Sequence, residues 1–287
     1  MSIILLAIIN SIIWTLLSIR WKSLRKKDIS SISSFGLLSA GLPLWLISFV
    51  YLYYQHNFIY SERYAANLLL WIVLCIATNL GILYILKFKA LSELGIYQLA
   101  ISTFVAMLID VIFFKSNFNL PTLLGVMMLL LAGFLLSKNK ISQNKDPKLS
   151  STLLLVLFLS IAGVVQFAAY KNALMVQSMP LLHVMFAQVI LHLVFLAVCL
   201  NSLKRDFVGG KLKIADFVFF GFLIYVFTII EAFLFKELPI TLLISLTVLN
   251  ILLFQIYDIK NKDLKHSWQL YLAACLAVAA IVMIRLR

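Results

Sequence analysis

Two carboxylates stand inside long apolar stretches of this 287-residue chain, and they are the residues best placed to do chemistry. Glu231 lies in the run Thr228-Ile229-Ile230-Glu231-Ala232-Phe233, with no basic residue one turn before it. Asp110 follows Leu108-Ile109 and precedes Lys115 by five residues. A charged group in hydrocarbon is costly unless it faces a wet cavity or a partner. Each acid could therefore bind a cationic or zwitterionic solute, or accept a coupling proton. The plainer reading puts Asp110 at a membrane interface and pairs Glu231 with Lys236.

Other polar side chains recur at helical spacing, and residues three or four apart share a helix face. Ser92, Gly95, Ser102, Thr103, Ala106 and Asp110 form one such stripe, and Gly221, Tyr225, Thr228 and Glu231 another. Asn10, Ser11, Trp14 and Ser18 make a third set, Ser160, Gly163, Gln166 and Tyr170 a fourth, and Thr247 and Asn250 a fifth. As a pattern they describe faces turned toward a lined cavity. Singly, each Ser or Thr is explained by close helix packing, where small residues let backbones approach. Trp14 and Tyr170 could stack on an organic cation or ring, or anchor the chain at an interface. His183 and His192 are nine positions apart and share no face, which argues against a paired metal site. A bond between His192 and Gln188, one turn earlier, is the simpler reading. Lys171 could meet an anion, although a lysine at the end of an apolar stretch ordinarily snorkels to the interface.

Ten apolar stretches must position these residues, near 2–19, 33–54, 66–86, 91–114, 120–137, 151–170, 180–200, 216–235, 239–257 and 267–285. About 20 apolar residues span a hydrocarbon core about 30 Å thick. Little chain is left to build a soluble domain. Apolar residues make up 63% of the sequence and charged residues 12%, against about 25% charged in soluble domains. The net charge of +13 would point to nucleic acid in a soluble protein. Here the basic residues sit in loops, so the membrane surface accounts for them and no nucleic-acid partner is expected. Cys75, Cys199 and Cys275 are odd in number and lack metal-ligand spacing, so neither a disulfide framework nor a metal centre is expected. No cofactor is expected either. The first stretch has no basic lead-in and reads as a retained helix. Pro43 is placed to bend the second stretch, while Pro121, Pro180 and Pro239 stand near helix starts, where proline is tolerated.

Eighteen of the 24 Lys and Arg residues fall in the odd-numbered connections. The positive-inside rule then puts those connections in the cytoplasm and both termini outside. A polar linker at 138–150 divides the chain into residues 1–137 and 151–287, and the halves echo each other. Phe88-Lys89 recurs as Phe235-Lys236, 147 positions on, and the same offset carries Thr122 to Gln269 and Gly133 to Ala280. Five spans per copy is odd, so the copies run in opposite orientations. The expected fold is an all-α integral membrane protein, ten transmembrane helices arranged as two inverted five-helix repeats. Such repeats commonly give a transporter its two access states, with the site at the repeat interface.

The segments Ala90-Leu91-Ser92 through Phe114 and Asn119 through Gly133, with Leu238-Pro239 through Ile256 and Ser267-Trp268-Gln269-Leu270, resemble the fourth, fifth, ninth and tenth helices of the ten-helix EamA-type permeases of the drug/metabolite transporter superfamily. Trp14 sits where their first helix often carries a tryptophan. Asp263 matches an acid they show six positions before the Gln of the last helix, but the first half has Ser116 there. The resemblance implies a cavity lined by helices one, three, four, six, eight and nine, which carry most of the stripes. It also implies a multi-pass protein of a bacterial cytoplasmic membrane with both termini in the cytoplasm, opposite to the charge count.

The functional expectation is a secondary transporter for a small organic solute, with no nucleotide-binding loop to power it. The residues expected to bind or couple are Glu231, Asp110, Trp14, Asn10, Ser102, Thr103, Gln166, Tyr170, Tyr225, Thr228 and Asn250. A flippase for a lipid or lipid-linked sugar is an alternative. A membrane-embedded transferase is another, although the sequence offers no His–acid motif in a loop and no acidic pair at metal-binding spacing. Gly125 and Gly133, with Ala273, Ala274, Ala277 and Ala280, offer small-residue faces for a homodimer.

Overall fold

The computed structural model describes residues 3–25, 29–55, 62–86, 91–138, 149–177, 179–246, 248–260 and 268–285. These residues form helices and no strand. In order they are α1 (Ile3–Arg25), α2 (Ser31–Gly36), a 3₁₀ segment (Leu37–Gly41), α3 (Leu42–Gln55), α4 (Glu62–Leu86), α5 (Leu91–Ile112), α6 (Leu120–Lys138), α7 (Leu149–Lys171), a π turn (Asn172–Val176), α8 (Leu181–Val208), α9 (Ile214–Glu237), α10 (Ile240–Leu246), α11 (Val248–Lys260) and α12 (Trp268–Arg285). Each expected apolar stretch holds a helix. Five segments are long and apolar enough to cross a membrane: Ile32–Gln55, Tyr64–Gly81, Leu157–Val176, Leu181–Val208 and Ile214–Glu237. Among the described residues the apolar runs in the remaining stretches are shorter, such as Leu5–Trp21 and Ile101–Ile112. Most of the linker, together with Phe88, Lys89, Thr247 and Asp263, lies outside the described residues.

Local chemistry explains the breaks. Pro43 has no N–H, and its ring would crowd the carbonyl four residues back. The chain meets this with the 3₁₀ segment just ahead of Pro43, where Ser39 Oγ donates to the Gly36 carbonyl at 2.6 Å. The expected bend is thus a change of helix type. At the start of α6, Asn119 caps by accepting from the Thr122 N–H at 3.0 Å. Pro239 offers α10 no capping side chain, and Asp110 of α5 supplies it instead. One Asp110 oxygen accepts from Ile240 N at 3.1 Å, and the other from Thr241 N and Thr241 Oγ1 at 2.7 Å each.

The chain divides into two compact units, each drawn from both sequence halves. One comprises Met1–Thr15, Phe88–Val164 and Glu237–Arg287; the other comprises Leu16–Lys87 and Val165–Lys236. The boundaries after Thr15 and Lys87 recur after Val164 and Lys236, 149 positions on in both cases (15 to 164, 87 to 236). In the first unit α6 packs along α12, and α10 on α5. Gly125, Ala273, Ala277 and Ala280 are buried there. These small residues, expected on a dimer face, instead lie where two helices of the same chain meet.

In the second unit α8 packs against α2 and α3. A Cβ on Gly36 would come within 2.7 Å of Cys199 Cβ, and one on Gly221 within 2.3 Å of the Ala40 carbonyl oxygen, so both contacts require glycine. Two buried aspartates at the far ends of α8 and the near end of α9 are fully engaged. Asp206 accepts from the Ser30 N–H at 3.2 Å and the Ser30 hydroxyl at 3.3 Å, joining α8 to the start of α2. Asp216 pairs with Arg20 of α1 and reaches back to the Lys213 N–H at 3.1 Å, capping α9.

Large apolar residues lie on outward helix faces as well as in the core. On α5, Ser102, Thr103, Ala106 and Asp110 are buried, while Phe104, Leu108, Val111 and Ile112 face outward. On α4, Trp71, Cys75 and Thr78 are buried, and Leu69, Leu70, Val73 and Leu80 are exposed. On α9, Gly221, Ile224 and Thr228 are turned in, and Val218, Phe219, Phe222 and Phe233 out. Exposed apolar side chains over this much surface are compatible with a membrane protein.

Candidate functional site

The expected site residues separate by unit. Asn10, Trp14, Ser102, Thr103, Asp110 and Asn250 belong to the first; Gln166, Tyr170, Tyr225, Thr228 and Glu231 belong to the second.

In the first unit most of these groups are occupied by structure. Asp110 is fully buried and caps α10 with both oxygens, so its carboxylate is already engaged by the chain's own backbone. Ser102 Oγ lies 3.5 Å from the Ser160 carbonyl, and Thr15 Oγ1 lies 3.5 Å from Asn250 Oδ1 while donating to the Ser11 carbonyl at 2.8 Å. Thr103 Oγ1 and Asn10 Oδ1 are buried without a partner, one on α5 and one on α1. Trp14 is partly exposed.

In the second unit a polar seam runs along the buried face of α8. Its first half is contributed by α3 and α4, its second half by α7, α8 and α9, so both sequence halves build it. At one end the Trp45 ring packs on Tyr225, with centroids 4.6 Å apart, and near His192 at 6.3 Å. Tyr225 shares a hydrogen bond with Ser48 at 2.6 Å. One turn before His192, Gln188 places its carbonyl 2.7 Å from His192 Nδ1. The expected His192–Gln188 bond exists, but through Gln188's backbone. Its side chain turns instead toward the Tyr170 hydroxyl, without a well-formed bond, since neither Tyr170 Oη nor Gln188 Nε2 has a hydrogen-bond partner. At the other end Tyr170 stacks on Trp71 at 4.9 Å and 17°, and meets Phe235 edge-on at 5.7 Å. Glu231 lies in the neighbourhood of Tyr170 and Cys75. Lys236 is exposed, and no ion pair joins it to Glu231. Gln166 and Thr228 are tied locally, Gln166 Oε1 lying 2.9 Å from the Thr78 hydroxyl and Thr228 donating to the Ile224 carbonyl at 2.8 Å.

Four polar atoms of this seam therefore lack partners: Trp45 Nε1, Tyr170 Oη, Gln188 Nε2 and His192 Nε2. Each such buried atom costs about 1–3 kcal/mol if nothing meets it. A polar guest, solute or water, would recover that cost. The aromatic rings supply flat walls, and Glu231 a single acid. Trp45, Trp71, Gln188 and His192 were not among the expected binding residues. The one-turn spacing of Gln188 and His192 was a usable signal; nothing in the local sequence marks Trp45. Among the described residues no three His, Cys, Asp or Glu converge as a metal site.

No protein-family model matches the chain. No curated protein matches it either. In three dimensions it matches 28 solved chains. One, the crystal structure of a protein, is 14% identical, with a TM-score of 0.74 over 99% of this chain and 96% of its own. At that identity the likeness shows a shared fold and carries no function.

Proposed function

We propose that the chain is a secondary transporter of the EamA-type permease kind, carrying a small organic metabolite across a bilayer by alternating access. The observation that carries this reading is the seam. Unpartnered buried donors and acceptors, an unpaired carboxylate and aromatic walls lie together inside helices whose outer faces are apolar. A scaffold gains nothing from such unpaired groups, whereas a solute site needs them free. Ten spans in two inverted repeats are supported by the ten helix-bearing apolar stretches and by unit boundaries that recur 149 positions apart. Repeats of this kind let one arrangement of helices rock into its mirror arrangement and open the site to the other side.

The charge bias supports cytoplasmic odd connections, termini outside, in a bacterial cytoplasmic membrane. The Arg20–Asp216 and Ser30–Asp206 contacts tie the first connection to the seventh, as a shared side requires. A homodimer through α6 and α12 would rest on outward residues such as Met127, Leu131, Tyr271 and Val278, which are exposed. Coupling would use a proton, an exchanged solute or the solute's own gradient.

The test is uptake of a mixed metabolite pool into proteoliposomes, comparing wild type with Glu231→Gln. Uptake that falls at least tenfold in the variant is expected. A folded wild-type preparation that moves no soluble solute overturns the reading in favour of lipid-linked cargo.

A further inference from the structure

The turn that joins α8 to α9 presents its cations and withdraws its acids. Lys204, Arg205, Lys211 and Lys213 are all exposed. Asp206 and Asp216, the acids of the same segment, are only 3% and 1% exposed. Ser30 holds Asp206, while Arg20 and the Lys213 N–H hold Asp216. Arg205 comes no closer than 3.8 Å to Asp206 and keeps 70% of its side chain exposed. The outer surface of the turn is therefore cationic.

Backbone geometry gathers these cations at one helix end. Gly210 takes a φ of +69°, a left-handed conformation that glycine adopts without strain. The chain reverses there, and the Lys211 and Leu212 N–H groups both donate to the Asp206 carbonyl, at 3.0 and 3.1 Å. Lys211 thus begins beside the last turns of α8, which carry Lys204 and Arg205. Leu212 is buried and pins the loop, and Lys213 follows at the start of α9. Two apolar side chains bracket the lysines. Val208 is 83% exposed and Ile214 77% exposed.

A charge bias between the two sides of a membrane calls for cations in a connection. It does not call for acids turned inward, nor for bare Val and Ile beside the cations. Water gives those two side chains no reward, whereas the headgroup layer of a bilayer suits both kinds of residue. Apolar side chains enter the acyl boundary there while cations meet phosphate. Length puts the turn in that layer. The 28 residues of α8 span about 42 Å, against about 30 Å of hydrocarbon, so the last turns of the helix extend past the core. We propose that the α8–α9 turn is a docking site for an anionic phospholipid. Its phosphate is met by Lys204, Arg205, Lys211 and Lys213, and its acyl chains by Val208 and Ile214. The site requires that the chain lie in a bilayer, and it is independent of whether the chain transports.

The experiment titrates the full-length protein in nonionic detergent with dioleoyl phosphatidylglycerol or dioleoyl phosphatidylcholine, and counts bound lipid by native mass spectrometry. Phosphatidylglycerol is expected to bind about tenfold more tightly than the zwitterionic lipid with the same chains. Replacing Lys204, Arg205, Lys211 and Lys213 together by Gln should erase that preference at unchanged Tm, since all four are exposed. Val208→Ser with Ile214→Ser should weaken both lipids and keep the preference between them. Lys236→Gln with Lys260→Gln, on exposed lysines outside the turn, should change neither. Equal binding of the two lipids overturns the proposal. So does a preference that survives the four Gln substitutions, or one that falls as far in the Lys236 and Lys260 control. Glycerol phosphate is added as a competitor without acyl chains. Displacement of phosphatidylglycerol by glycerol phosphate at matched concentration would mean a site for free anions and would overturn the lipid assignment. No flux is read, so failure here leaves the transporter reading untouched, and failure of uptake leaves this site untouched.

Discussion

Asp110 and Glu231 are the same chemistry placed in opposite circumstances. Both are acids near the end of a long apolar helix, and in sequence they look alike. In the first unit Asp110 is enclosed by two backbone N–H groups and a hydroxyl, so its charge is spent holding the start of α10. In the second unit Glu231 has no basic partner among the described residues and stands near Tyr170 on a seam with four unpartnered polar atoms. One acid is engaged as a helix cap; the other, under the proposed function, is the one left to a guest. What decides between them is which helix end arrives opposite, and that lies outside the local sequence.

The contrast can be broken or sharpened by substitution. The largest effect on folding is expected at Gly221, where a Cβ would meet the Ala40 carbonyl at 2.3 Å. Backbone cannot yield as a side chain tip does, so Gly221→Ala should cost about 3 kcal/mol and lower the Tm of the purified protein sharply. Survival of Gly221→Ala at wild-type Tm would mean that α9 does not pack this closely. Next comes Asp110→Ala, which strands two buried N–H groups and the Thr241 hydroxyl, for a loss of about 2 kcal/mol read as lowered Tm. A guest-binding acid would instead tolerate removal well, so a Tm unchanged in Asp110→Ala contradicts the capping role. Glu231→Gln should keep or raise Tm, because it removes an ionisable group without a basic partner from a poorly solvated place. The smallest effect is expected from Ser48→Ala, which deletes one hydrogen bond to Tyr225 for about 1 kcal/mol.

Much of the scaffold was legible beforehand. Hydropathy alone marked every stretch in which a helix lies, and the prolines at 43, 121, 180 and 239 marked where helices start or change type. Of the small and polar stripe ending at Asp110, Ser102, Thr103, Ala106 and Asp110 lie on the buried face of α5. The functional division was not legible. Asp110 meets Ile240 and Thr241 from 130 positions away, and only folding makes that capping visible. Trp45 looked like one more aromatic in an apolar run, yet its indole N–H is among the seam's free donors. The Ala residues of α12 were readable as a close-packing face, but not whether the partner helix belonged to the same chain. Spacing reports which residues share a face; it does not report what the face meets.

The central claim is that the second unit's seam does the work while the first unit's acid holds structure. Measuring proteoliposome uptake and Tm together for wild type, Glu231→Gln and Asp110→Asn tests it most directly. The account predicts that Glu231→Gln loses uptake at undiminished Tm, and that Asp110→Asn loses Tm while keeping wild-type uptake per folded molecule. The reverse pattern, with transport failing at Asp110 and stability failing at Glu231, would contradict it.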